Sequence, residues 1–157
     1  MKIRIENARL SFPGIWHAEP FKPGDEPKFK ATFLVPKDSP MAKKIEAAMM
    51  ETAKAKWGAK AEKIVAGIRN NPNKFCIQDG DTKTYDGYEG MIAVSAKNGV
   101  RPTILDRDRS PLTEEDGKPY AGCYVNGVIE FFAYENSGNG ISASLGGIQF
   151  VKDGDAF

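Results

Sequence analysis

The sequence predicts an α+β domain, mainly β, built as a small barrel with one helical insertion at about residues 38–69. Three observations carry that reading. Apolar and polar residues alternate in two early segments, a capped stretch of helical spacing follows, and everything after residue 74 reads as strand and turn. At 157 residues the chain can bury a core as a single domain, residues 1–157, without disulfide staples.

Residues 2–10 place Ile3 and Ile5 on one side and Lys2, Arg4 and Glu6 on the other, a half-buried first strand. A loop rich in Pro and Gly, Ser11 to Pro27, holds Trp16, His17 and Phe21. In the next strand Phe29, Ala31, Phe33 and Val35 share one face, opposite Lys28, Lys30 and Thr32. Pro36 ends it, because proline cannot donate to a ladder. Asp38 or Ser39 then caps a helix, with Pro40 allowed in its first turn, and Trp57-Gly58 closes it. A second helix at about residues 59–68 buries Ile64, Val65 and Ile68, and Asn70-Asn71-Pro72-Asn73 breaks it.

The second half holds a short strand at Phe75-Cys76-Ile77, a polar loop from Gln78 to Gly90, a strand from Met91 to Lys97, and a shorter one at Thr103-Ile104-Leu105. A charged loop, Asp106 to Pro119, leads into a hairpin from Tyr120 to Phe150 that turns at Ser137-Gly138-Asn139-Gly140. Alternation sends Val125, Ile129 and Phe131 inward and leaves the Tyr124 side facing out.

Composition narrows the function classes. Apolar content of 41% and charged content of 27% are ordinary for a globular protein, and 22 basic against 21 acidic side chains give a net charge of +1. A polycation that coats nucleic acid is excluded, whereas a local basic stripe is not. No secretory signal or membrane-length apolar run occurs, and Cys76 and Cys123 read as reduced, buried and inert.

No motif supplies an enzyme centre. Asp79-Gly80-Asp81 invites a calcium reading, but the fifth, sixth and twelfth loop positions hold Lys83, Thr84 and Gly90 instead of the EF-hand residues. Gly138-Asn139-Gly140 leads from strand to strand, not to the helix N-terminus that a dinucleotide site requires. His17 is the only histidine, neither cysteine has a partner at metal spacing, and Asp106 and Asp108 alternate with Arg107 and Arg109 as a self-paired loop. No metal or cofactor is expected.

The positive signal is basic residues interleaved with aromatics: Lys83, Tyr85 and Tyr88, then Lys97, Arg101, Arg107 and Arg109, then Tyr120 and Tyr124. Single-stranded nucleic acid needs this pairing, since cations track phosphates and rings stack unpaired bases. On pattern alone, core aromatics with a solvated cationic rim is the stronger reading, because acids are scattered through the same loops.

Family likeness shifts that balance. The hairpin segments from Pro119 to Asn126, Phe132-Ala133-Tyr134-Glu135-Asn136, Gly138 to Ile141 and Leu145 to Gly154 closely resemble a family of bacteriophage proteins. That family was first catalogued without a function and later recognised as single-stranded DNA-binding proteins with an OB-type barrel. Lys28 to Lys37, Lys56-Trp57-Gly58, Asp79-Gly80-Asp81 and Tyr88 to Gly90 are similar to it too, so the likeness covers essentially the whole chain.

The resemblance implies an OB-fold-like barrel and non-catalytic, largely sequence-independent binding of single-stranded DNA during phage replication or recombination. It places the protein in the cytoplasm of the infected bacterial host. Family members continue with an acidic C-terminal segment, so the natural chain is expected to run past Phe157. Phage or host replication and recombination proteins are further expected partners, and exposed β-edges could support a homodimer.

In an OB barrel the groove lies on the strand 2–3 face. Lys28 and Lys30 would then meet phosphate, Lys97, Arg101 and Arg107 would extend the track, and Trp16, Tyr85, Tyr88, Tyr120 and Tyr124 are the stacking candidates. An adaptor or scaffold that uses the aromatic hairpin as a protein interface is the alternative. A nucleic-acid-processing enzyme with carboxylates between Asp79 and Asp86 ranks last. A basic groove shared by Tyr85, Tyr88, Tyr120 and Tyr124 would favour DNA, and four buried rings the adaptor.

Overall fold

A computed structural model describes residues 1–157. Strands β1 (Lys2–Glu19) and β2 (Lys28–Pro36) precede helices α1 (Pro40–Trp57) and α2 (Ala61–Ile68). Then come β3 (Ile77–Asp79), β4 (Met91–Asn98), β5 (Thr103–Leu105), β6 (Tyr124–Tyr134) and β7 (Gly140–Lys152). The expected mainly-β barrel with a helical insertion is what forms.

Five strands close a ring in the order β1-β2-β4-β7-β6 and back to β1. All contacts around it are antiparallel except one, where β4 meets β7 in parallel at Lys97 and Ser144. The Asn98 side-chain amide reinforces that seam by donating to the Leu145 carbonyl at 3.1 Å. Short β3 lies outside the ring on β4, and β5 runs parallel to β7.

The first strand is longer than its alternation suggests. It pairs with β6 through Arg9, then bends and pairs with β2 as far as Glu19. Bulges between Ser11 and Gly14 absorb Pro13 and hold Phe12 at a positive φ of 45°. Pro13 and Gly14 look like loop residues in sequence because a bulge uses the same residue types as a turn.

Inside the ring, period-two alternation does what it predicts. Ala31, Phe33 and Val35 from β2 and Val125, Ile129 and Phe131 from β6 are all buried in one core. Phe33 lies directly against the backbone of Gly127, where a methyl group would collide with the ring. Helix α1 packs on the barrel through Ile45, Met49 and Ala53. Ser39 caps it, its Oγ accepting from the Ala42 amide at 3.1 Å, and Pro40 occupies the first turn. Gly58, at a φ of 59°, ends α1 and turns the chain through one 3₁₀ turn into α2.

The Gly127 contact generates a stability test. Gly127→Ala should lower stability by about 1–3 kcal/mol, as overpacking of a tight core does. Adding Phe33→Leu should recover part of that loss, so the pair is less harmful than the sum of its members. Urea midpoints of the four chains in the cycle measure it; strict additivity would show that the two residues do not press on each other.

Candidate functional site

The outer face of β2 and β4 divides into two halves. At one end Leu34, Ala93 and Met91 are roofed by Tyr88, forming a small apolar cluster outside the barrel. At the other end Lys30 lies directly opposite Lys97, and Thr32 opposite Ser95, on neighbouring strands. Like charges facing each other across a ladder repel, so this register costs stability unless an anion lies between them. Neither lysine has a carboxylate partner.

This open half is the floor of a groove of about 510 Å³. One wall carries Lys83 and Tyr85 from the loop after β3, Phe12 from the β1 bulge, and Phe21 from the β1–β2 loop. The facing wall carries Lys74, Tyr134, Ile141 and Ser142. No acidic residue lines the groove, in a chain with 21 of them. Its lysines, Lys30, Lys74, Lys83 and Lys97, are all free of ion pairs.

The aromatic wall is a ladder. Phe12 meets Tyr85 edge-on at 4.9 Å between ring centres, and Tyr85 meets Tyr88 at 5.2 Å. Phe12 and Tyr85 are about half exposed, while Tyr88 is buried with its hydroxyl 2.9 Å from Ser11 Oγ. Tyr88 therefore supports the ladder from beneath, and the upper two rings stay accessible. Phe21 stands almost free at 88% exposure. Across the groove the Tyr134 ring lies on the backbone of Gly140, where any side chain would displace it, with Lys74 Nζ 6.0 Å above its centre. Burial pushes the Cys76 thiol up to about 12, so this lining residue stays neutral.

The loop that holds Lys83 and Tyr85 is pinned at its base. Lys37 Nζ lies 2.5 Å from both Asp79 and Asp81, and Asp81 also accepts from the Gly90 amide at 2.9 Å. The ammonium holds both carboxyls below their usual range, and they in turn raise Lys37. The Asp79–Asp81 pair singled out in the sequence is thus the anchor of a loop.

The structure brings Lys30, Tyr85 and Lys97 together in the groove with Tyr88 beneath them. It does not bring the other candidates there. Trp16 packs partly on the core, and its carbonyl accepts from Arg101, whose guanidinium also lies 5.5 Å from the Phe29 ring. Lys28 lies 4.0 Å from Glu26. Arg107 donates to the Val151 carbonyl at 2.6 Å. Tyr120 donates to Asp153 at 2.8 Å, and Tyr124 packs beside Lys152 and Gly154, so both rings are engaged by the chain's own C-terminal segment.

Phe12, Phe21, Lys74, Lys83 and Tyr134 complete the groove. Phe21 had a legible signal, a large ring in a polar Pro/Gly loop, and Lys83 shared a loop with Tyr85. Tyr134 belongs to the aromatic hairpin without being singled out as a contact and Lys74 has no signal, because each needs the hairpin to fold back beside β4.

The profile of the family described as "Enterobacter phage Enc34, ssDNA-binding protein" matches residues 1–157. Protein p50 of Acyrthosiphon pisum secondary endosymbiont phage 1 is 48% identical over 159 residues, spanning 100% of this chain and 86% of that protein. The single-stranded DNA-binding protein from bacteriophage Enc34, solved in complex with ssDNA, superposes with a TM-score of 0.83 at 30% identity, over 99% of this chain and 89% of that one. The single-stranded DNA-binding protein gp2.5 of bacteriophage T7 has a TM-score of 0.62 at 13% identity, over 98% and 93%, a likeness of fold alone.

The Lys37 clamp predicts an acid-sensitive loop. Carboxyls held below their ordinary value of 3.8 contribute stability that is complete above that value and is lost as pH falls through the lower folded values. Lys37→Met should flatten the fall in urea midpoint between neutral pH and about pH 2. An unchanged acid profile would show that the ammonium does not hold the carboxylates.

Proposed function

The chain belongs to the family of the Enterobacter phage Enc34 single-stranded DNA-binding protein, and from that premise we propose that its β2–β4 groove holds the DNA strand, without catalysis and with little sequence preference. The protein binds single-stranded DNA in phage DNA replication. The observation that carries the assignment to this groove is its acid-free lining of unpaired lysines between exposed rings.

Each part of the groove has a chemical task. Lys30 and Lys97, forced side by side by the strand register, relieve their repulsion by taking a phosphate between them. Lys83 and Lys74 carry the backbone up the two walls. Tyr85, Phe12 and Phe21 give flat apolar surfaces to bases, and every base has a face to stack. Thr32 and Ser95, 3.2 Å apart, are the hydroxyls of the floor. So small a set of neutral polar groups reads little sequence, and discrimination between bases is accordingly weak.

The adaptor reading loses ground to the same geometry. Tyr120 and Tyr124, which would have made the docking patch, are held by Asp153 and Gly154 of the same chain. Binding during phage replication puts the protein where unwound DNA is, inside the infected host. Replication or recombination enzymes are its natural further partners.

Fluorescence anisotropy with a short oligothymidylate, of about 6 nucleotides, tests the assignment. A groove whose four lysines neutralise phosphates should give a log affinity against log salt slope near −3, at about 0.7 per contact on a single strand. Lys30→Ala with Lys97→Ala should flatten that slope by roughly 1.4. Tyr85→Ala should weaken binding by about 1–3 kcal/mol with the slope unchanged. Arg107→Ala, outside the groove, should leave both alone. Salt-independent binding, or full affinity without Lys30 and Lys97, would refute the groove.

A further inference from the structure

The hairpin loop between β6 and β7, residues 135–139, forms a ridge that meets two cationic hollows, one through Lys74 and one through its own Asn139. On the groove side Lys74 donates to the Ser137 carbonyl at 2.6 Å. Asn139 borders a second, shallow hollow of about 570 Å³ that is open to solvent. Its other lining residues come from the end of α1's trailing turn and from α2: Lys60, Lys63, Ile64, Gly67 and Ile68.

This hollow repeats the chemistry of the groove. No acidic residue lines it, and Lys60 and Lys63 are exposed and free of ion pairs. Glu135 of the ridge pairs with Lys56 at 3.8 Å, and Glu62, exposed between the two lysines in the chain, lies outside the lining. Ile64 and Ile68 are only half-buried, so an apolar floor lies between the two ammonium groups and the Asn139 amide. Gly67 leaves the helix face flat there, with nothing within 4 Å of the position a side chain would take.

Resting on the DNA-binding reading of the groove, we infer that this α2 hollow is a second segment of the same track: single-stranded DNA leaving the groove past Lys74 crosses the hairpin ridge and lies against Lys60 and Lys63. Contact of the hairpin loop with both hollows, and unpaired lysines in each, select this occupant. The bases pass over Ile64 and Ile68, while Lys60 and Lys63 take successive phosphates. The helical insertion thereby lengthens the binding site beyond what the barrel alone provides.

The consequence is length dependence. Lys60→Glu with Lys63→Glu is compared with wild type and with Lys43→Glu/Lys44→Glu, an equal charge change on exposed residues lining neither hollow. An oligothymidylate of about 6 nucleotides falls near the short end of the roughly 4–16 nucleotide site sizes of such folds, and one of about 20 exceeds them. The α2 variant should bind the short strand like wild type and the long one about tenfold more weakly, with a salt slope shallower by roughly 1.4 on the long strand only. Unaltered binding of the long strand, equal losses on both strands, or an equal loss in the Lys43/Lys44 variant overturns the extension. Wild type failing to bind either strand would instead overturn the groove itself.

Discussion

A five-stranded ring this small must be filled by side chains, and Phe33 fills it only because Gly127 gives it room. That contact fixes the register of β2. Once Phe33 points inward, Ala31 and Val35 follow it, and Lys30 and Thr32 are committed to the outside. β4 is then locked in its own register against β2, and Lys97 is delivered opposite Lys30. The charged floor of the groove is the reverse side of the core.

The remaining surface explains how a chain of net charge +1 can present a cationic trough. Several of its acids are paired away from the groove: Asp79 and Asp81 with Lys37, Glu46 with Arg69, Asp106 with Lys118. Exposed pairs of this kind add little stability. What shapes the field at the groove and the α2 hollow is that no acid lines either, so the lysines there act uncompensated. Net charge is a sum over the whole surface, and binding depends on its distribution.

The groove also combines a rigid and an adaptable part. Lys30, Lys97 and the Tyr134 ring sit on barrel strands or on a backbone held by them. Phe12 and Tyr85 sit on a bulge and a loop anchored by Tyr88, Ser11 and the Lys37 clamp. Phe21 is nearly unsupported. Phosphates occur at a regular spacing and suit fixed cations, whereas bases of different size suit rings that can adjust.

The sequence by itself determined the class of fold, the inward residues of β2 and β6, a helix cap at Asp38 or Ser39, of which the structure uses Ser39, and the Pro36 and Gly58 stops, because alternation, capping and turn chemistry act between near neighbours. It also carried the family likeness, and with it the kind of ligand. It misjudged the extent of β1, since Pro13 and Gly14 serve a bulge as readily as a turn. Which residues share the groove was decided only by tertiary structure. Lys30, Tyr85 and Lys97 meet there, joined by Phe12, Phe21, Lys74 and Tyr134, while Trp16, Arg101, Arg107, Tyr120 and Tyr124 are drawn to other contacts. The reason is the ring closure: the parallel contact of β4 with β7 at Lys97 and Ser144 sets the hairpin beside a strand far from it in the chain, and no local pattern encodes that meeting.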